Sequence, residues 1–161
     1  MSTSQNAHEI LPGLWLGNVK ASTDLGFIQQ HDIQVVFNCT KTLSFSSAIP
    51  IQYRVPVDDN LEEDEIRNLE LWSTEIAYRI LAEYRAGRHI LVHCMAGMQR
   101  SAAAVAMVLI AYRGIHANEA MQYIKQIRPV AFHPKANFIR SIEGFDRRFH
   151  SEILPEINRR R

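Results

Sequence analysis

The sequence predicts an α/β fold: a central, mostly parallel twisted sheet of about five strands, flanked by helices. Three observations point there. Short β-branched runs such as Ile33 to Asn38 and His89 to His93 have strand length and are largely apolar, the pattern of strands covered on both faces. Helical periodicity alternates with these runs through the first hundred residues. Beyond about Ser101 only helical patterns follow.

Taken in order, Leu14-Trp15-Leu16 reads as a short strand closed by Gly17-Asn18, and Ser22 stands where it can cap a short helix ending near Gln30. Ile33 to Asn38 and Gln52 to Val57 are the next strands. A long helix is expected over Glu62 to Ala86, because Ile66, Leu69, Trp72, Ile76, Ile80 and Tyr84 recur at spacings of three and four. Glu62, Glu63, Asp64 and Glu65 suit the positive end of its dipole, and Gly87 stops it. His89 to His93 is a buried strand. An apolar helix from about Ser101 to Arg113 stops at Gly114, and a third helix, Asn118 to Ile127, ends before Pro129. Pro134 to Ser151 forms a fourth, with Phe138, Ile142, Phe145 and Phe149 on one side. Trp15, Trp72 and the methionine of the apolar helix are expected in the core.

With 161 residues the chain is expected to form a single domain over 1–161, with 1–8 and 155–161 as flexible tails. Apolar residues at 47% and charged residues at 22% exclude a disordered chain. A net charge of +1 supplies no global excess to attract nucleic acid or a membrane surface. It is unevenly spread: Asp58 to Glu75 holds eight acids and one base, Lys125 to Arg161 nine bases and four acids. Two cysteines, Cys39 and Cys94, exclude a disulfide scaffold and a four-thiolate zinc site. The longest apolar run is too short for a bilayer, and the polar first residues lack the features of a signal peptide. A reducing, intracellular compartment is expected: cytoplasmic, with nuclear or virion-associated placement as alternatives.

The chemistry is concentrated in His93-Cys94-Met95-Ala96-Gly97-Met98-Gln99-Arg100-Ser101, between a buried strand and a helix N-terminus. Consecutive amides in a tight loop make an anion nest, and the helix end adds donors and a positive dipole end. Arg100, six residues after Cys94, can grip two oxygens bidentately. The donors that would hold a phosphate also stabilise a thiolate, so Cys94 should ionise below the free value of roughly 8.5. Gly97 permits a backbone angle that a Cβ hinders.

His-Cys-x-x-Gly-x-x-Arg-Ser resembles the signature of the cysteine-dependent protein tyrosine phosphatase superfamily, and the context resembles its small dual-specificity branch. "ILPGLWLGNVKAS" is similar to the family's opening strand, "YRVPVDDN" to its general-acid segment, and "NEAMQYIKQIRP" and "NFIRSIEGF" to its closing helices. Gln99 departs from the Ser, Asn or Lys common there, and three alanines follow Ser101.

The resemblance implies a phosphatase acting through phosphocysteine, with a protein tyrosine phosphatase-like fold and no cofactor. Cys94 is then the nucleophile, and Arg100 with the loop residues Met95, Ala96, Gly97, Met98 and Gln99 binds the phosphoryl group. Asp59, three residues after Pro56, is the general acid, with Asp58 as the other candidate and a helix-capping Asp as the structural reading. Ser101 assists the second step. Arg128, in "KQIRP", matches a family residue at the pocket rim. His93 orients the loop, and Cys39 matches a residue that in some relatives forms a reversible disulfide with the nucleophile. No metal is expected. Phosphorylated proteins are the implied substrates, without nucleic acid or membrane, and a homodimer is allowed. Other readings are an RNA 5′-triphosphatase or phosphoinositide phosphatase on the same loop, a non-catalytic phosphoprotein-binding module, and a sulfur-transfer domain.

Overall fold

In a computed structural model describing residues 6–161, five strands form one sheet in the order β1-β2-β5-β3-β4. These are β1 (Ala7–Leu11), β2 (Leu14–Gly17), β3 (Val35–Asn38), β4 (Ile51–Arg54) and β5 (Ile90–His93). β1 pairs antiparallel with β2, and all other pairings are parallel. Parallel neighbours need long crossovers, so helices cover both faces. They are α1 (Val19–Thr23), α2 (Leu25–Gln30), α3 (Glu63–Leu71), α4 (Ser73–Arg85), α5 (Arg100–Arg113), α6 (Ala117–Ile127), α7 (Ile139–Arg148) and α8 (Leu154–Arg159), with a π-helical turn at Phe149–Ile153.

The pleat divides the core. Val35, Phe37, Ile90 and Val92 face the larger cluster with α4, α5 and α7; Val36 and Leu91 face the smaller one, with Ala21, Phe27 and Ile28 of α1 and α2. α5 lies inside the larger cluster, and every residue from Ser101 to Ile110 is buried. That explains its uniformly apolar sequence: a helix apolar on all sides has protein on all sides. Gly114 ends it at φ +68°, where its N–H reaches the Ile110 carbonyl.

The structure revises several expected boundaries. The strand at Ala7–Leu11 is unexpected, because His8 and Glu9 dilute its apolar pattern and the register slips between Glu9 and Leu11. Ala7 and His8 therefore belong to the sheet rather than to a tail, and 154–159 form α8; residues 1–5 of the expected tail lie outside the described residues. Ser22 sits inside α1. The caps are Asn18, whose Oδ1 accepts from Ala21 N, and Asp24, whose Oδ1 accepts from Phe27 N. The long helix over 62–86 breaks at Trp72, where φ −96° and ψ 5° leave helical geometry and the Ser73 hydroxyl donates to the Glu70 carbonyl. The break turns Trp72 outward, 61% exposed, instead of into the core. The last long helix starts at Ile139 rather than at Pro134. Among the described residues, no helix is long and apolar enough to cross a membrane.

Candidate active site

Gly17, His93, Asn38 and Arg54 are in register at the carboxyl ends of β2, β5, β3 and β4. Open α/β sheets place their sites beyond this edge. The loop 94–99 rises from the middle strand there, and α5 begins at Arg100.

The carbonyls of this loop are held from outside, one after another. Met95 O accepts from Val19 N (3.1 Å), Ala96 O from Arg128 Nη2 (3.2 Å) and Gly97 O from Arg128 Nε (2.8 Å). Met98 O accepts from Phe132 N and Gln99 O from Ala103 N, both at 2.8 Å. A trans peptide points its N–H opposite to its C=O. Carbonyls pinned outward from 95 to 99 therefore turn the amides of residues 96–100 inward, forming an anion cup. Gly97 is required twice over: its φ is +67°, and a Cβ would stand 2.5 Å from Gly17 O and 2.8 Å from Arg128 Nη2. Phe132, whose N–H pins Met98, also has positive φ, +62°. A side chain rarely adopts that conformation unless its surroundings impose it.

Cys94 lies at the base of the cup, 2% exposed. Burial opposes its ionisation. The Ser101 hydroxyl, 3.1 Å from Sγ, the amides of Ser101 and Gly97, and the Arg100 guanidinium outweigh burial and hold the thiol below its ordinary value. His93 is buried, and its Nδ1 lies 3.3 Å from Cys94 O. Burial above all pulls its pKa down to about 4, so the ring is neutral near pH 7 and adds no positive charge beside the thiolate.

Arg100 connects the cup to the segment after β4. Its Nη1 donates to Val57 O at 3.1 Å, and its buried Nε has no acceptor among the described residues. A phosphoryl oxygen in the cup would supply one. The two candidate acids diverge. Asp58 pairs with Lys41 at 3.3 Å, and its amide donates to Glu65. Asp59 Oδ1 instead accepts from Asn137 Nδ2 at 2.9 Å, and Asn137 N donates to Gln99 Oε1 at 2.9 Å. Gln99 Nε2 also donates to the carbonyls of His133 and Lys135. Asp59 is thereby tied to the cup through one side chain on each side, and Asp58 is tied to the acidic helix α3. Asp59 makes no helix cap; Glu62 precedes α3.

Arg128 corrects an expectation. It is 1% exposed and lies behind the cup, with Nη1 2.8 Å from His8 Nδ1. Two of its nitrogens are spent on loop carbonyls, so it braces the loop and does not line a pocket rim. Cys39 ends β3 beside β5, where its N–H donates to His93 O, and its thiol is free and fully buried. Burial first, then the charge of Cys94, pushes its pKa up, so it is held protonated.

Sequence reasoning missed Asn137, Phe132 and the use made of Gln99. The departure at Gln99 was visible, but its partners lie more than thirty residues away. A cleft of about 570 Å³ beside the acid segment, lined by Tyr53, Pro56, Val57, Leu69, Trp72 and Arg79 among others, contains none of the cup residues.

The family description "Dual specificity phosphatase, catalytic domain" matches residues 14–148. Dual specificity phosphatase 28 of Mus musculus is 29% identical over 161 residues, covering 96% of each chain. Dual specificity protein phosphatase 1 of Arabidopsis thaliana is 29% identical over 135 residues, covering 84% of this chain and 66% of that one. This chain spans only 37% of the mouse and 43% of the human Dual specificity protein phosphatase 2. Among solved structures, human DUSP28 is similar at TM-score 0.75 and 26% identity, covering 90% of this chain and 95% of that one. A mouse putative dual specificity phosphatase complexed with zinc tungstate is similar at TM-score 0.78 and 26% identity, covering 93% and 92%.

Proposed function

This chain belongs to the dual-specificity phosphatase catalytic-domain family, and from that membership we propose that it hydrolyses phosphotyrosine and phosphoserine/phosphothreonine in protein substrates through a phosphocysteine intermediate. The observation that carries the reading is the row of five loop carbonyls pinned outward above Cys94. It supports a preorganised set of inward donors at the position where charge grows in phosphoryl transfer, the arrangement that gives electrostatic catalysis its size.

In the first step Cys94 Sγ attacks phosphorus in line. The P–O ester bond breaks, and Asp59 gives its proton to the departing oxygen. Arg100 and the loop amides bind the three non-bridging oxygens, more tightly as they spread into one plane. In the second step a water attacks phosphorus and Asp59 takes its proton. The S–P bond breaks, inorganic phosphate forms, and Cys94 leaves as a thiolate that the Ser101 hydroxyl stabilises. Met95 to Gln99 act through their backbones, and Arg128 acts on the substrate only through the loop it braces.

The test is acid-quenched turnover of radiolabelled phosphotyrosine and phosphothreonine peptides. Both should be hydrolysed, with label trapped on Cys94. Cys94→Ser should lose at least about 10³-fold in rate while keeping its fold. Wild-type rates in Cys94→Ser, or turnover without a labelled cysteine, would contradict the mechanism.

A further inference from the structure

A second group of ligating side chains gathers where the start of α6 meets the end of α7. His116 immediately precedes α6, Asp146 lies in α7, and His150 lies in the π turn. His116 Nδ1 is 3.0 Å and His150 Nε2 is 3.2 Å from the same oxygen, Asp146 Oδ1. The three ligand atoms lie within 4.8 Å of one another, and the two rings are 4.0 Å apart between centroids at 31°. We propose that His116, Asp146 and His150 form a three-ligand site for a divalent transition-metal cation, zinc foremost, with water completing the coordination.

The spacing suits the ion. Ligands about 2.0–2.2 Å from a tetrahedral zinc stand roughly 3.3–3.5 Å apart, so the two imidazole–carboxylate separations need a few tenths of an ångström of adjustment, and the two imidazole nitrogens, within 4.8 Å, close on the ion by ring rotation. Imidazole nitrogen with one carboxylate favours zinc and its transition-metal neighbours over magnesium or calcium, which take oxygen. The carboxylate is already oriented, as Asp146 Oδ2 accepts from Ala117 N at 3.0 Å and Oδ1 faces both rings. His150 stands four residues after Asp146 in a π turn, a widened turn that recurs at functional positions within helices.

Without metal, the same atoms form hydrogen bonds. His116 faces the carboxylate, and His150 Nε2 lies 3.1 Å from Ile115 O. On binding, each neutral ring carries its proton on its other nitrogen and presents a lone pair to the ion. The Ile115 carbonyl gives up its donor. The bound ion would clamp the N-terminus of α6 to the end of α7 and does not depend on the phosphatase reading.

The test uses the full chain carrying Cys94→Ser, which removes the active-site thiolate as a rival zinc ligand. Zinc chloride is titrated by calorimetry, cobalt(II) by visible absorption, and melting temperature is followed with and without zinc. His116→Asn keeps a residue suited to capping α6, and His150→Gln keeps a donor for Ile115. One zinc per chain is expected, with tetrahedral-type cobalt bands and a rise in melting temperature. Each variant should weaken binding at least about tenfold and lose the rise. No zinc binding by the parent chain, or binding that neither variant alters, would overturn the site and leave a hydrogen-bonded clamp only.

Discussion

The cup at 94–100 and the segment at 55–62 are linked through Arg100 and Asn137, yet they are held in opposite ways. The cup is fixed through its backbone: five successive carbonyls have partners outside the loop, and Cys94 and Ser101 are buried. Beyond the buried Val55 and Val57, the acid segment is fixed by side chains at its surface. Asp59 has Asn137, Asp58 has Lys41, residues 59–64 are exposed, and Leu61 takes a left-handed φ of +63°. The cup can stabilise a transition state without reorganising, because its donors are in place beforehand. The acid segment is the more exposed part, which suits a group that in the proposed mechanism serves as acid in one step and base in the next.

Substitutions that separate the two regions sharpen this contrast. The largest difference should lie between the neighbouring acids. Asp59→Asn should lower kcat by about 10²–10⁴-fold, whereas Asp58→Asn, which removes an exposed ion pair with Lys41, should change it by less than about threefold. Steady-state rates of the two variants decide this. Equal losses in both variants would place the acid elsewhere.

Breaking the cup from behind should cost stability as well as rate. Arg128→Met strands the buried carbonyl of Gly97, at about 1–3 kcal/mol for a buried group left unpaired, and removes the part-buried bond to Ala96 O. A loss of roughly 2–4 kcal/mol is expected from urea unfolding, together with a fall in kcat. A variant that lost affinity for substrate but kept full stability would return Arg128 to the pocket rim.

The smallest effect is expected on the link between the regions. Asn137→Ala frees Asp59 from its one side-chain donor among the described contacts and should cost about three- to tenfold in kcat, with little change in stability. Steady-state kinetics beside urea unfolding check this: a loss in kcat no larger than in Asp58→Asn would show that Asn137 does not position the acid.

The same contrast explains what the sequence disclosed. Cys94, Gly97, Arg100 and Ser101 were legible because a cup made of consecutive amides must be written in consecutive residues. The strands at 33–38 and 89–93 and the helix at 101–113 were legible because burial on all sides leaves an unbroken apolar run. Arg128 was misplaced because a buried arginine and a rim arginine look alike in one dimension; only its bonds to Ala96 and Gly97 distinguish them. Asn137 was invisible because its partners, Asp59 and Gln99, are 78 and 38 residues away. β1 escaped because an edge strand with polar residues at His8 and Glu9 carries little alternation. His116 lies 30 residues from Asp146, so a search for paired histidines along one helix passes over that cluster.

The account rests on the cup lowering the proton affinity of one thiol against the pull of burial. Iodoacetamide modification of Cys94, followed by mass spectrometry across pH, measures that directly, since only the thiolate reacts. The rate should reach its plateau through an inflection below roughly 8.5, and Ser101→Ala should move that inflection upward by removing the hydroxyl 3.1 Å from Sγ. An inflection at or above the value of a free cysteine, unchanged in Ser101→Ala, would contradict it.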